Sequence, residues 1–243
     1  MLLLVLTGLM KPALAQAEPY DVSIGIDHAP PYHWIDANGQ AQGTMVAVMR
    51  KLVSNSGGAA KFVSCPWARC LKLTETGQVD MLFGVSKTAE RAAFLHFVEP
   101  EMINTTVHFV FYQLPSAPPI NSYYQLYRLK VGVLRGGSYF SEFDTDRKLQ
   151  KVEFVDLASA VVSLQKGRID ALIQPAGVTL PTQPDGDTLA VAQYQHTDHG
   201  KGYVVLSKRF THPDYLPRLS QEMARSTELK DFMRAVKAAK NQQ

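Results

Sequence analysis

Gly77-Gln-Val-Asp-Met-Leu-Phe83 and Gly167-Arg-Ile-Asp-Ala-Leu-Ile173 carry one pattern, Gly-x-[Val/Ile]-Asp-x-Leu-apolar, in two separate parts of the chain. Each copy follows a helix-like stretch, 67–76 in the first case and 157–166 in the second. A glycine at a helix end takes the left-handed conformation without the penalty a Cβ would bring. The uninterrupted apolar run after it suits a short parallel strand buried on both faces. Two units of one design predict two similar α/β lobes, and two lobes make a cleft.

Working outward from the first copy, 21–26 alternates into a strand that Ala29-Pro-Pro31 breaks. Asp36-Ala-Asn-Gly39 reads as a tight turn. The stretch 44–56 is an amphipathic helix with Met45, Val48, Met49 and Leu52 on one side, closed by Asn55-Ser-Gly-Gly58. A strand at 61–64 leads into the 67–76 helix, so 19–84 reads β-α-β-α-β in one parallel layer. A further strand at 107–113 runs into the prolines of a linker at 115–119. The pattern then restarts, with strands at 130–134 and 151–155, a helix at 138–149, and the second copy. A turn-rich loop at 182–187, return strands at 189–193 and 202–207, and helices at 214–225 and 228–240 complete the chain. This order nests 114–193 as lobe 2 inside a lobe 1 built from 18–113 plus 194–243. Two crossings, near 107–113 and 189–195, permit hinge closure.

Composition narrows the class. The chain has 243 residues, 46% hydrophobic and 19% charged, which is the range of a folded globular protein with room for two lobes. A net charge of +3, scattered along the chain, argues against nucleic acid as a partner. The segment 1–17 reads as a secretory signal peptide: the nine-residue apolar run from Leu2 to Met10 is too short to span a bilayer, and Ala13-Leu-Ala15 and Ala15-Gln-Ala17 are small-x-small cleavage sites. Export to the periplasm is therefore expected, and it bears on Cys65 and Cys70. These are either two separate buried thiols or a small disulfide, and in an oxidising compartment the disulfide is expected. Its role would be to fix the turn that presents Trp67 and Arg69, because so short a loop gains little entropy.

Four stretches in order carry a family resemblance. They are Pro30-Pro-Tyr-His-Trp34 with Asn38-Gly-Gln-Ala-Gln-Gly43; Gly77-Gln-Val-Asp80 running to Ser86-Lys-Thr-Ala-Glu-Arg91 and Phe97-Val-Glu-Pro100; Val131-Gly-Val-Leu-Arg-Gly-Gly-Ser138; and Gly167-Arg-Ile-Asp170. Together they resemble the bacterial periplasmic solute-binding proteins of family 3, the amino-acid-type substrate-binding proteins of ABC transporters. The resemblance covers 19–240. It implies a type 2 periplasmic-binding-protein fold, each lobe a mainly parallel sheet flanked by helices, with two hinge crossings and a ligand held between the lobes.

Ligands of open α/β sheets collect outside the carboxyl ends of the strands. There Ser86 and Thr88 offer hydroxyl and backbone donors, and Arg91 offers a planar fork that matches a carboxylate. The resemblance implies that Arg91 holds the ligand's α-carboxylate; read alone, Arg91 is otherwise an ion-pair partner of Glu90 or Glu99. The 136–138 turn, with Gly137 and Ser138, leaves a strand and opens a helix, an expected anion cradle. In the family a hydroxyl matching Ser138 meets the carboxylate. Asp27 matches a position that touches the side chain of basic ligands, and read alone it caps the 28–31 turn. Tyr32 and Trp67 follow strand ends, where a ring either stacks on a ligand or joins the lobe core.

The resemblance breaks at one point. Where amino-acid binders place the acid that pairs with the ligand's ammonium, this chain has Pro175, and proline cannot neutralise a cation. Asp27 is the expected substitute. There is also one residue fewer between Asp80 and Arg91 than the family has. No nucleophile–base pair, Walker loop or dinucleotide fingerprint appears, so neither an enzyme nor a cofactor is expected. On the same fold a cyclohexadienyl dehydratase-like lyase is the alternative, with Glu99 or Glu142 as its general acid. His196-Thr-Asp-His199 is a weak metal pattern, and no metal is expected. The partners expected are a small carboxylate-bearing or amino-acid-like ligand and an inner-membrane ABC permease or sensor kinase, with the protein a monomer.

Overall fold

A computed structural model of the chain describes residues 20–181 and 188–240. The expected signal peptide and the turn at 182–187 lie outside the described residues. The first half runs β1 (Tyr20–Ile26), β2 (Trp34–Ile35), β3 (Ala41–Gln42), α1 (Thr44–Asn55), β4 (Gly58–Ser64), α2 (Trp67–Glu75), β5 (Met81–Val85), α3 (Ala89–Phe94) and β6 (Leu95–Gln113). The second runs β7 (Lys130–Leu134), α4 (Ser141–Thr145), β8 (Gln150–Phe154), α5 (Leu157–Gln165), β9 (Ala171–Pro175) and β10 (Ala190–Ser207), followed by α6 (Tyr215–Arg225) and α7 (Thr227–Lys240).

The two sequence repeats fold alike down to single hydrogen bonds. Gly77 and Gly167 take φ values of +77° and +63°. After each, a backbone N–H reaches back five residues, Gln78 to Leu73 O at 2.8 Å and Arg168 to Ser163 O at 2.9 Å, the Schellman closure of a helix. Val79 and Ile169 are buried. Each repeat aspartate then brackets the neighbouring strand. Asp80 N donates to Ser23 O while Ser23 N donates to Asp80 Oδ2 at 2.9 Å. Asp170 N donates to Lys130 O while Lys130 N donates to Asp170 Oδ2 at 2.7 Å. The bracket sits one residue before the strand pairs Ile24 with Met81 and Val131 with Ala171, so it starts each parallel ladder in register. The apolar strands that follow feed two cores, one per face. Met81 and Phe83 pack in one cluster and Leu82 in another; Ala171 and Ile173 pack in a third and Leu172 in a fourth.

The strands form one eight-stranded sheet in the order β4-β1-β5-β10-β6-β9-β7-β8. Both ends are parallel, and β6 and β10 run antiparallel through the middle. Two core clusters draw on residues 20–103 and 203–233, and two on residues 107–194. We call these halves lobe 1 and lobe 2. Ile103 packs with the first and Val107 with the second, so β6 changes lobe between them.

Three elements differ from the sequence expectation. The strands expected at 107–113, 189–193 and 202–207 are parts of β6 and β10, of 19 and 18 residues. Their middle parts, Ile103 to Val110 against Gln195 to Gly202, pair across a polar ribbon whose outward residues give no apolar run to read. The helix expected at 138–149 is only the five-residue α4. Phe140 and Phe143 hold it in the lobe 2 core, and Asp144 turns back on the chain before it.

Candidate functional site

A cavity of about 580 Å³ lies between the lobes, within the range of small-molecule sites. Strand ends build much of it. Gly25 lies near the end of β1 and Asp27 follows it, and Phe83, Gly84 and Ser86 belong to or follow β5; Leu134, Val155, Gln174 and Pro175 come from the ends of β7, β8 and β9. Of the residues expected to bind, Asp27, Tyr32, Trp67, Ser86, Arg91, Gly137 and Ser138 line it. Thr88 does not. Its hydroxyl is the N-cap of α3, accepting from Arg91 N at 3.2 Å, so it shapes the helix that carries Arg91.

Arg91 spans the lobes. Its Nη1 donates to Ser86 O at 2.8 Å and its Nη2 to Gly136 O at 2.9 Å. Gly136 O also accepts from Trp67 Nε1 at 2.8 Å, and the guanidinium lies 5.7 Å from the Trp67 ring centre. Arg91 is only 7% exposed, and among the described residues no carboxylate lies within ion-pair distance of it. Burial pulls its pKa below the usual arginine value, while Glu90 and Asp144, farther off, act the other way. The two carbonyl contacts use two of the five N–H donors of the guanidinium. A buried cation with donors to spare is prepared for an anion.

The turn at 136–138 is built differently from the expected cradle. No long helix starts there, and its donors are largely spent inside the turn. Gly137 N donates to Leu134 O, Ser138 Oγ to Asp144 Oδ2, and Tyr139 N to Asp144. Gly136 instead presents a carbonyl to the two lobe 1 side chains. Its φ of +71° and its packing against Leu71 and Ala68 leave little space for a side chain.

Trp67 is held from behind. Cys65 and Cys70 form a disulfide with Cα atoms 5.3 Å apart, as the sequence led one to expect, and Trp67 sits inside its loop. A Cβ on Gly25 would stand 3.2 and 3.3 Å from the two sulfurs, so the bridge packs directly on β1 beside the cleft. Asp27 does not stand alone: its Oδ1 lies 2.8 Å from His33 Nε2. Tyr32 meets Phe232 of α7 edge-on at 6.3 Å.

Several further residues form the wall. His33 lies in the quoted 30–34 stretch, and Gln174 directly precedes Pro175. Both line the cleft, and His33 Nδ1 and Gln174 Nε2 are buried without a partner among the described residues. Asp156, the N-cap of α5, adds a lobe 2 carboxylate to the wall. Tyr139 lines it too; burial pushes its phenol up to about 12, and its oxygen accepts from Leu134 N. Phe232 and Met233 reach it from α7, with no local signal to mark them. Glu99 and Glu142, the expected acids of an enzyme, are not in the wall. His196 stacks on Phe140 at 3.6 Å, while His199 faces Asn104. Three residues apart on one strand, they point to opposite faces. Among the described residues no cluster of three metal-ligating side chains occurs, and no helix is long and apolar enough to cross a membrane.

Residues 22–116 match the family described as bacterial extracellular solute-binding proteins, family 3. No curated protein matches the sequence. The fold is similar to that of a Salmonella typhimurium periplasmic binding protein with high arginine specificity, with a TM-score of 0.72 at 15% identity over 89% of this chain and 98% of that one. It is similar to a histidine kinase sensor domain resembling periplasmic binding proteins (0.67, 20% identity, 90% and 96%). It is also similar to an ancestral amino acid-binding protein described as a precursor of cyclohexadienyl dehydratase (0.66, 21% identity, 88% and 91%). Two lobes around a cleft with a buried cation define a ligand-binding protein. The family match covers residues 22–116, and the likeness of fold extends over the rest of the described chain.

Proposed function

We propose that the protein is a periplasmic, monomeric solute receptor that captures a small carboxylate-bearing, amino-acid-like ligand in the interlobe cleft. The observation that carries this reading is Arg91: buried, shared between the lobes, and without an anionic partner among the described residues. A ligand carboxylate would supply the missing charge, and because Arg91 already touches Gly136 it would be gripped only when the lobes are together. Asp27 with His33, and Asp156, are the acids that stand in for the one replaced by Pro175. Trp67, Tyr32 and Ser86 complete the lobe 1 side, and Gly137 and Ser138 face them. The receiving partner is a membrane permease or a sensor kinase; the likeness to a kinase sensor domain supports keeping both.

The test is a thermal-shift screen of amino acids, short peptides, dicarboxylates and related anions. A ligand at 100 times its dissociation constant stabilises by about 2.7 kcal/mol. Arg91→Ala should abolish the response to every hit; an unchanged response would remove Arg91 as the anchor. A lyase reading is favoured by one observation, the His33–Asp27 pair in the cleft wall, since an acid-held imidazole is a usable general base. Turnover of a hit by the pure protein would support it, and intact recovery of the hit supports the receptor.

A further inference from the structure

The cleft has two ends of different chemistry. Around Arg91 its wall is polar. On the other side of lobe 1 it is lined by Met45, Phe83, Met102, Ile103, Phe232 and Met233. All six belong to or pack against a single core cluster, while Cys65 and Trp67 at the other end belong to a different one. The six side chains come from four elements distant in sequence, α1, β5, β6 and α7, and together they give the cleft an apolar stretch of wall. The space, about 580 Å³ for the whole cleft, is far more than a carboxylate fills. Apolar walls of this extent do not hold water well, and methionines adapt to the shape of what they meet.

We infer that this chamber takes the apolar body of the ligand, so that the receptor selects carboxylates bearing an aliphatic or aromatic chain over those ending in a polar group. The inference rests on the receptor reading above, with Arg91 holding the carboxylate end. His33 stands where the two kinds of wall meet: its ring is edge-on to Phe83 at 5.0 Å and its Nε2 lies 2.8 Å from Asp27 Oδ1, within one continuous cavity.

Isothermal titration of the full chain with L-alanine, L-norvaline, L-norleucine and L-phenylalanine, against L-glutamine and L-arginine, tests this. Propanoate, pentanoate and hexanoate form a parallel series without the amino group. Affinity should rise about fourfold for each methylene added, in whichever series binds. Phe232→Asp should lower norleucine affinity about tenfold more than alanine affinity, and Met233→Trp, which fills the chamber, should exclude phenylalanine selectively. Far-ultraviolet circular dichroism of both variants confirms that they fold. Tighter binding of glutamine or arginine than of norleucine, abolished by Arg91→Ala, would overturn the chamber and leave the anchor standing. A rise with chain length that Arg91→Ala does not weaken would support the chamber and remove the anchor. Absence of binding by every probe would overturn the chamber.

Discussion

Arg91 Nη2 donates to the carbonyl oxygen of Gly136 at 2.9 Å, tying a buried lobe 1 cation to the backbone of lobe 2. The same oxygen accepts from Trp67 Nε1, so one carbonyl collects two of the donors that face the cleft. Such a contact exists only when the lobes are together. It makes the closed form depend on residue 136 being free of a side chain, on Trp67 being held, and on Arg91 being charged.

Gly136→Ala should therefore weaken both the fold and ligand affinity. The left-handed backbone at this position costs an alanine about 1–2 kcal/mol, and its methyl would press on Leu71 Cδ1 at 3.3 Å. Calorimetric affinity should fall roughly 5- to 30-fold. Small-angle scattering with saturating ligand should report a more open particle than the native protein under the same conditions.

Reducing the Cys65–Cys70 bridge, or replacing both cysteines by serine, should cost about 2 kcal/mol by the loop-entropy relation for a short ring. In a chain of this size that lowers the melting temperature by roughly 4–8 °C. Ligand affinity should fall as well, because the bridge backs the turn that carries Trp67. Melting and titration with and without a reductant separate the two effects.

The repeat aspartates should differ in weight although their sequences match. Asp80 is half-buried and accepts from both Ser23 N and Ser23 Oγ, whereas Asp170 is exposed and accepts only from Lys130 N. Asp80→Ala should cost about 2–3 kcal/mol and Asp170→Ala about 1 kcal/mol, read from urea unfolding at constant slope.

Alkaline pH should destabilise the fold through Tyr139. Burial raises its folded pKa to about 12, above the ordinary tyrosine value near 10, so the unfolded chain loses the proton first. Its contribution is full below about pH 10 and is lost as pH rises toward 12, at most about 2.7 kcal/mol for this group. Tyr139→Phe should flatten that part of the stability curve relative to the native protein, measured by urea unfolding between pH 8 and 11.5.

The helix-to-strand units were readable because each step is local: a helix period, a glycine with positive φ, then a buried strand. The disulfide followed from spacing and from the expected export of the chain. Thr88 caps α3 outside the cavity wall, and a hydroxyl three residues before an arginine reads equally as a ligand donor and as a cap. The 136–138 turn misled because glycines before a serine suggest a helix start, while Asp144, further along, takes up the donors. His33, Gln174, Phe232 and Met233 needed the fold itself, since what brings them to one wall is the packing of distant elements. The length of β6 and β10 was hidden because a polar two-stranded ribbon has no apolar run.

The central claim, that Arg91 grips a carboxylate between the lobes, is tested most directly by titrating the best ligand from the screen beside its carboxamide analogue. On the native protein, loss of the carboxylate charge should weaken binding about 100-fold, close to 2.7 kcal/mol. On Arg91→Ala the acid and the amide should bind equally weakly. Equal affinity of acid and amide on the native protein, or an undiminished preference for the acid on Arg91→Ala, would contradict the account.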